Sequence, residues 1–426
     1  MNKRFQLTTL ILAVAATGAT AGILVPHSVE TGDTAKADSL PVTAAYNTPF
    51  QSSSGRTVRR IEANVLPSAI IHTNDFLNGN NPERRTMNHA FTAKLKYAFM
   101  PPEGSEKANI YRGVYQGIGA AWHEFNPQLG NPISVYMFQG ARIASLSRRL
   151  TFNYEWNFGL TMGWNPYNYD TNRDNRVIGS KVTAYIDADF YLAYRLSRYA
   201  DINAGVSLSH FSNGNTQFPN AGLNTIGIRL GMACYIGRSP IGKEQTAKKP
   251  IPEFKRRITY DLVLYGAWRR RGVYIGQDTY ALPGTYAVMG FNFNPMYNIN
   301  HWLNAGMSLD GVYDRSANLY MEDHITSIGG SDNSLDYYRA PSPINQMALG
   351  LSARAEFVMP YFTINIGIGT NVINAKGDLR GLYEILALKL NVTRRLFMHI
   401  GYSIDDFKNP NHLMLGLGWR FGKVRK

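Results

Sequence analysis

The sequence predicts an all-β protein, an antiparallel transmembrane β-barrel of about sixteen strands. Three observations predict it. Segment after segment alternates apolar and polar residues, and a period of two places i and i+2 on one side of a strand. No apolar run beyond the N-terminus approaches the roughly 20 residues that a membrane helix needs. The first residues read as an export signal. A mean hydropathy of −0.24 fits the same picture, because the polar lumen-facing half of a barrel dilutes the average.

Lys3 and Arg4 give a basic start, Leu7 to Ala16 an apolar core, and Ala19-Thr20-Ala21 a small-residue cleavage site, so residues 1–21 are expected to be a signal peptide. Residues 22–56, rich in Thr, Ser, Ala and Pro, are expected to be a periplasmic leader without a core. Sixteen strands are then expected at about 57–72, 88–100, 112–124, 132–143, 149–164, 178–195, 200–212, 223–237, 256–270, 284–298, 301–314, 344–358, 361–373, 381–393, 395–405 and 412–421. Phe362, Ile364, Ile366 and Ile368 alternating with Thr363, Asn365, Gly367 and Gly369 make one of the cleanest.

Short connections at 144–148, 196–199, 359–360 and 393–394 alternate with long ones at 73–87, 165–177, 213–222, 271–283 and 315–343. Membrane barrels have short periplasmic turns and long outer loops, so both termini fall in the periplasm and 213–222 on the outer side. Residues 101–111 and 239–254 are longer than this rule expects. The link 239–254 separates a segment 57–238 from a second, 255–421. The strands are expected to close as one ring or as two eight-stranded units, and one ring is favoured because two linked barrels need two separate closures. A faint echo, Asn203 to Leu208 against Asn304 to Leu309, raises an internal duplication. Trp164, Trp268, Trp302 and Trp419, near strand ends, suit aromatic girdles.

The net charge is +14. An exported chain with no basic helix or RNA-binding motif excludes nucleic acid, and anionic headgroups or lipopolysaccharide phosphates fit better. One cysteine, Cys234, excludes an internal disulfide and a zinc cluster. No metal motif or phosphate loop stands out, and no cofactor is expected; Asp170 to Arg176 lacks the Gly and Glu of a calcium loop. Asp187 and Asp189 read as lumen polar residues. The sequence is silent on oligomeric state.

The candidate chemistry lies at 210–224. Ile202, Ala204, Val206 and Leu208 share one strand face, and His210 and Ser212 continue it. Ile226, Ile228, Leu230 and Met232 share a face that begins with Asn224. An imidazole and a hydroxyl at the end of an oily face point to a nucleophile–base pair acting on a lipid. Asn224 is placed to complete the constellation, and Asn213, Asn220 and the Gly214 N–H can donate to an oxyanion.

His210-Phe211-Ser212-Asn213-Gly214 followed by Pro219-Asn220-Ala221-Gly222 resembles the signature of the outer-membrane lipid A 3-O-deacylases of the PagL type, the acyloxyacyl hydrolase family. The likeness is sharpest over 200–237 and extends over 57–238; Gln139-Gly140-Ala141 and Asn153 to Gly159 are also similar to longer members. The resemblance implies removal of an ester-linked acyl chain from lipid A in the outer leaflet, without metal or cofactor. It carries the family's histidine and serine onto His210 and Ser212, and its oxyanion asparagine onto Asn220. The family's orienting glutamate falls at Asn224, a departure. An asparagine can hold the imidazole but cannot stabilise the imidazolium by charge, which implies slower hydrolysis, another acid such as Glu155, or lost activity. The alternative is a non-catalytic barrel: a porin, a channel or a surface scaffold.

Overall fold

The structure is a computed structural model that describes residues 57–241, 250–275, 278–282, 284–321, 338–360, 362–407 and 409–422. The expected signal peptide and leader, and residues 242–249 of the expected linker, lie outside the described residues. In chain order the elements are β1 Val58–Ile71, β2 His89–Met100, α1 Glu106–Ile110, β3 Tyr115–Glu124, β4 Ile133–Ser145, β5 Leu150–Met162, β6 Val182–Arg195, β7 Ala200–Ser212 and β8 Leu223–Ile236. They continue as β9 Arg257–Arg269, β10 Gly272–Ile275, β11 Asp278–Ala281, β12 Tyr286–Asn298, β13 Leu303–Asp314, β14 Tyr320–Met321, β15 Tyr338–Arg339, β16 Met347–Val358, β17 Phe362–Ile373, β18 Leu382–Asn391, β19 Leu396–Asp405 and β20 Asn409–Phe421.

All sixteen expected strands form, and they close as two rings of eight, one of the two expected arrangements though not the favoured single ring. β1 to β8 make the first, sealed where β1 pairs β8 through Ile61 opposite Cys234. β9, β12, β13 and β16 to β20 make the second, sealed where β20 pairs β9 through Leu417 opposite Leu264. The reason is local. The link between Ile236 and Arg257 is far longer than the roughly two to five residues of a hairpin loop, so nothing forces β9 beside β8. The free edge of β8 instead meets β1, and both are 14 residues long. β9 and β20, both 13 residues long, match in the same way. The paired echo at 203–208 and 304–309 falls on the seventh strand of one ring and the third of the other, so it does not relate equivalent strands. β10 pairs β11 and β14 pairs β15 in two-stranded ladders, inside two links expected to be plain loops.

Alternation decides what each face meets. Leu95, Ile118, Ile228 and Leu264 point outward and are each more than half exposed. In water that wall would be costly; against acyl chains it is solvated. The inward face is charged and closed. In the first ring Arg60, Lys94, Lys96 and Arg229 are buried among Glu62, Glu155, Asp187 and Asp189. Lys94 lies 2.7 Å from Asp187, Lys96 2.7 Å from Glu155, and Arg229 2.8 Å from Asp189, with Glu62 also contacting Arg229 and Arg60. In the second ring Lys389 and Arg420 meet Asp261 at 3.0 and 2.7 Å, and Arg354 meets Asp310 at 2.8 Å. An eight-stranded ring is just wide enough for its side chains to fill. Lumens packed with paired charges are plugs, which argues against a channel.

The long-loop end of the first ring is capped by stacked rings. Trp164 packs on Phe125 at 5.4 Å and on Phe211 at 5.3 Å. Its indole N–H donates to Thr183 at 2.9 Å. Trp164 therefore belongs to the plug and not to a girdle as expected. Gly163, with φ of +96°, ends the alternation of β5 one residue earlier and turns the indole inward. Outward Trp156 and Ala188 are also buried, because Phe362, Ile364 and Leu388 of the second ring pack over them.

Candidate active site

β7 and β8 are joined by residues 213–222, and their register sets His210 directly opposite Asn224. Both side chains leave the outward face, as the alternation predicts. His210 Nδ1 lies 2.6 Å from Asn224 Oδ1. A carboxamide oxygen only accepts, so the ring donates from Nδ1 and its Nε2 is left as the basic atom.

Ser212 is the last residue of β7. Its Oγ accepts from Asn220 Nδ2 at 2.9 Å and from the Gly214 N–H at 3.1 Å. Asn220 is held in turn by the Asn213 N–H, which donates to its Oδ1 at 3.0 Å. At rest the hydroxyl is therefore held by the loop, and it makes no hydrogen bond to the His210 ring. The two groups are still neighbours. A Cβ added to Gly222 would lie 3.2 Å from His210 Cε1 and 4.0 Å from Ser212 Cβ. Gly222 has φ of +72°, which a side chain resists. Gly222→Ala is expected to wedge the ring and the hydroxyl apart and to lower kcat about 100-fold. Kinetics on the folded barrel check this, and wild-type turnover would refute it.

The first ring braces this loop. Thr73 Oγ1 donates to the Gly222 carbonyl at 2.9 Å. The Ala221 and Gly222 N–H groups donate to the carbonyls of Arg176 and Val177, both at 3.1 Å. Asn172 and Asn175 tie the 165–178 loop through their amides to the carbonyl of Asn165, each at 3.0 Å. The stretch Asp170 to Arg176 thus serves as scaffold. Among the described residues, no cluster of three or more His, Cys, Asp or Glu side chains could hold a metal.

Not every expected residue reaches the hydroxyl. The structure gathers His210, Ser212, Asn224, Asn220 and the Gly214 N–H. The Asn213 side chain turns away, its amide donating to the Gln217 carbonyl at 3.0 Å; only its backbone N–H serves the site. Glu155, considered as a replacement acid, faces the lumen, where Lys96 and the Tyr115 hydroxyl at 2.9 Å engage it. Asp187 and Asp189 also face the lumen. The sequence reading did not single out Asn215, whose Oδ1 accepts from Asn220 Nδ2 at 3.1 Å. Its place in an Asn-Gly-Asn run was the available signal.

A second His–Ser pair also escaped the sequence reading. His123 Nε2 lies 2.7 Å from Ser134 Oγ, and its Nδ1 lies 2.9 Å from Thr92 Oγ1. Its members come from three strands, so no local spacing announces it. Both are sealed in the lumen, His123 with Phe125 stacked over it at 5.9 Å, and an acyl chain has no approach.

Two family models point the same way as the loop motif. Residues 92–233 match the family model described as lipid A 3-O-deacylase (PagL). Residues 258–423 match the one described as the C-terminal domain of acyloxyacyl hydrolase. Together the two span well over half the chain, one on each barrel. Comparison with curated protein sequences finds no match. Among solved structures, the outer membrane enzyme PagL is 11% identical, with 40% of this chain and 97% of that one covered at a TM-score of 0.27. The translocator domain of the autotransporter NalP from Neisseria meningitidis is 9% identical, with 87% and 90% covered at a TM-score of 0.16. The ferric enterobactin receptor PfeA from Pseudomonas aeruginosa is 10% identical, with 86% and 73% covered at a TM-score of 0.23.

Proposed function

The chain belongs to the lipid A 3-O-deacylase and acyloxyacyl hydrolase family, acyl-ester hydrolases of the bacterial outer membrane, and on that premise we propose that it removes an ester-linked acyl chain from lipid A with Ser212 as nucleophile and His210 as base. The observation that carries this reading is the convergence of Asn220 Nδ2 and the Gly214 N–H on Ser212 Oγ, on the outward face at the long-loop end. The long loops of such barrels face outside, so this face meets the outer leaflet, where lipid A lies.

The serine hydroxyl rotates from Asn220 to His210 Nε2, which takes its proton. Oγ attacks the ester carbonyl, and the loop donors pass from Oγ to the new oxyanion. The imidazolium gives its proton to the departing sugar oxygen, leaving an acyl-serine. Water, deprotonated by His210, then releases the fatty acid and restores the serine. Asn224 fixes the tautomer and the orientation of the ring throughout, but it lends no charge to the imidazolium.

Asn224 in place of a carboxylate favours a second reading, a scaffold that retains the loop without turnover. Mass spectrometry of lipid A from cells making the protein separates the two. The hydrolase is expected to convert lipid A to a species lighter by one acyl chain. An unchanged spectrum in a host whose lipid A carries the ester favours the scaffold.

A further inference from the structure

We infer that the second barrel is a positioning element of the active site carried by the first, acting through Asn215. The inference rests on the Ser212 hydrolase reading and adds a component to it. Asn215 has φ of +62°, a conformation that asparagine tolerates better than most residues. There it reaches both barrels. Its carbonyl accepts from the N–H of Arg270, just after β9, at 2.9 Å. Its side-chain amide donates to the carbonyl of Asn411, in β20, at 3.0 Å. Its remaining side-chain atom, Oδ1, accepts from Asn220 Nδ2 at 3.1 Å, and that same nitrogen donates to Ser212 Oγ at 2.9 Å.

The chemistry of a carboxamide makes this link consequential. Asn220 has two N–H bonds, one on Ser212 and one on Asn215. The second, together with the Asn213 N–H on Asn220 Oδ1 at 3.0 Å, fixes which end of the amide faces the serine. Without it one of those two holds is gone, and the amide turns more readily to present an oxygen where a developing oxyanion needs a donor. Oxyanion donors act through being fixed beforehand, so a loop anchored from one barrel alone would lose part of their effect. The other donor is held from the same side. Leu413 of β20 lies over Gly214, where an added Cβ would come within 2.5 Å of Leu413 Cγ.

The test uses the full chain, with lipid A in mixed micelles as substrate and Ser212→Ala as the reference. Asn215→Gly keeps the positive φ and deletes only the side chain. It is expected to lower kcat about 10–100-fold, less than the full loss of an oxyanion donor, with KM unchanged within about two-fold. Asn215→Asp keeps the acceptor for Asn220 but loses the donor to Asn411, and is expected to fall between glycine and wild type. Leu413→Ala, which only uncovers Gly214, is expected to lose several-fold in kcat, and it carries the test if the Asn215 variants do not fold. Wild-type kcat in both Asn215→Gly and Leu413→Ala, or a change confined to KM, overturns the inference while Ser212→Ala remains dead. Turnover by Ser212→Ala instead overturns the hydrolase reading itself.

Discussion

Ser212→Ala is expected to abolish lipid A deacylation and to leave the barrel folded. Removing the nucleophile of a serine–histidine site costs on the order of 10⁴–10⁶-fold in kcat, which brings turnover to background. The cost to folding is much smaller. Asn220 Nδ2 and the Gly214 N–H lose an acceptor, worth about 1–3 kcal/mol if nothing replaces it. The strand itself is fixed by its pairing with β6 and β8. His210→Ala is expected to be as inactive, and the double variant no worse than either, because a nucleophile and its base act as a unit in the proposed mechanism. Asn224→Ala is expected to be milder, since it removes the 2.6 Å hold on Nδ1 and no charge. Lipid A mass spectra, read beside the heat-modified gel mobility that reports a closed barrel, check all four. Residual deacylation by folded Ser212→Ala would remove Ser212 from the chemistry.

Arg229→Met is expected to be the most destabilising single change in the first ring. Arg229 is fully buried and contacts Glu62, Glu155 and Asp189. Its removal leaves the closed lumen with one carboxylate charge more than its remaining cations, and breaking a buried pair on one side costs about 3–5 kcal/mol. Adding Glu62→Gln should return part of the loss, because it deletes the surplus negative charge. The exposed pair Arg271–Asp378 serves as the control. Its side chains are 24% and 40% exposed, and its loss is expected to cost about 0–1 kcal/mol. Urea unfolding in lipid vesicles measures each. Equal midpoints for Arg229→Met and wild type would mean that the lumen charges do not hold the ring.

The strands were legible because a period of two is written directly in the residues. Leu95 between Lys94 and Lys96 tells which side meets lipid and which the lumen. The number of rings was not legible. Closure depends on which free edges meet, and β1 meets β8 across more than 150 residues of chain. An oily outward side chain also reads the same whether acyl chains or another barrel covers it. Trp156 and Phe362 carried no mark of their mutual burial. Trp164 misled because one glycine ended the alternation before it.

The site shows the same division. That His210 and Asn224 share the outward face followed from alternation alone, and the loop motif located Asn220 and Gly214 near Ser212; the register that sets His210 opposite Asn224 did not. What alternation could not supply was orientation within the loop. Asn213 turned its amide to Gln217, while Asn215, two residues on, took up the bond to Asn220. Both are asparagines in one turn, and only the folded backbone separates their roles.

The apolar seam joining Trp156 and Ala188 to Phe362, Ile364 and Leu388 has a different meaning in a bilayer from the one it would have in water. Oil gains nothing by hiding from oil, so the two cylinders adhere only by the margin with which side chains fit one another better than lipid tails do. Polar threads at the rim, such as Asn215 to Asn411, then carry a large share of the cohesion, and the covalent tether keeps the halves from diffusing apart. A nick in that tether should let a thicker or more fluid membrane pull the pair asunder without unfolding either cylinder.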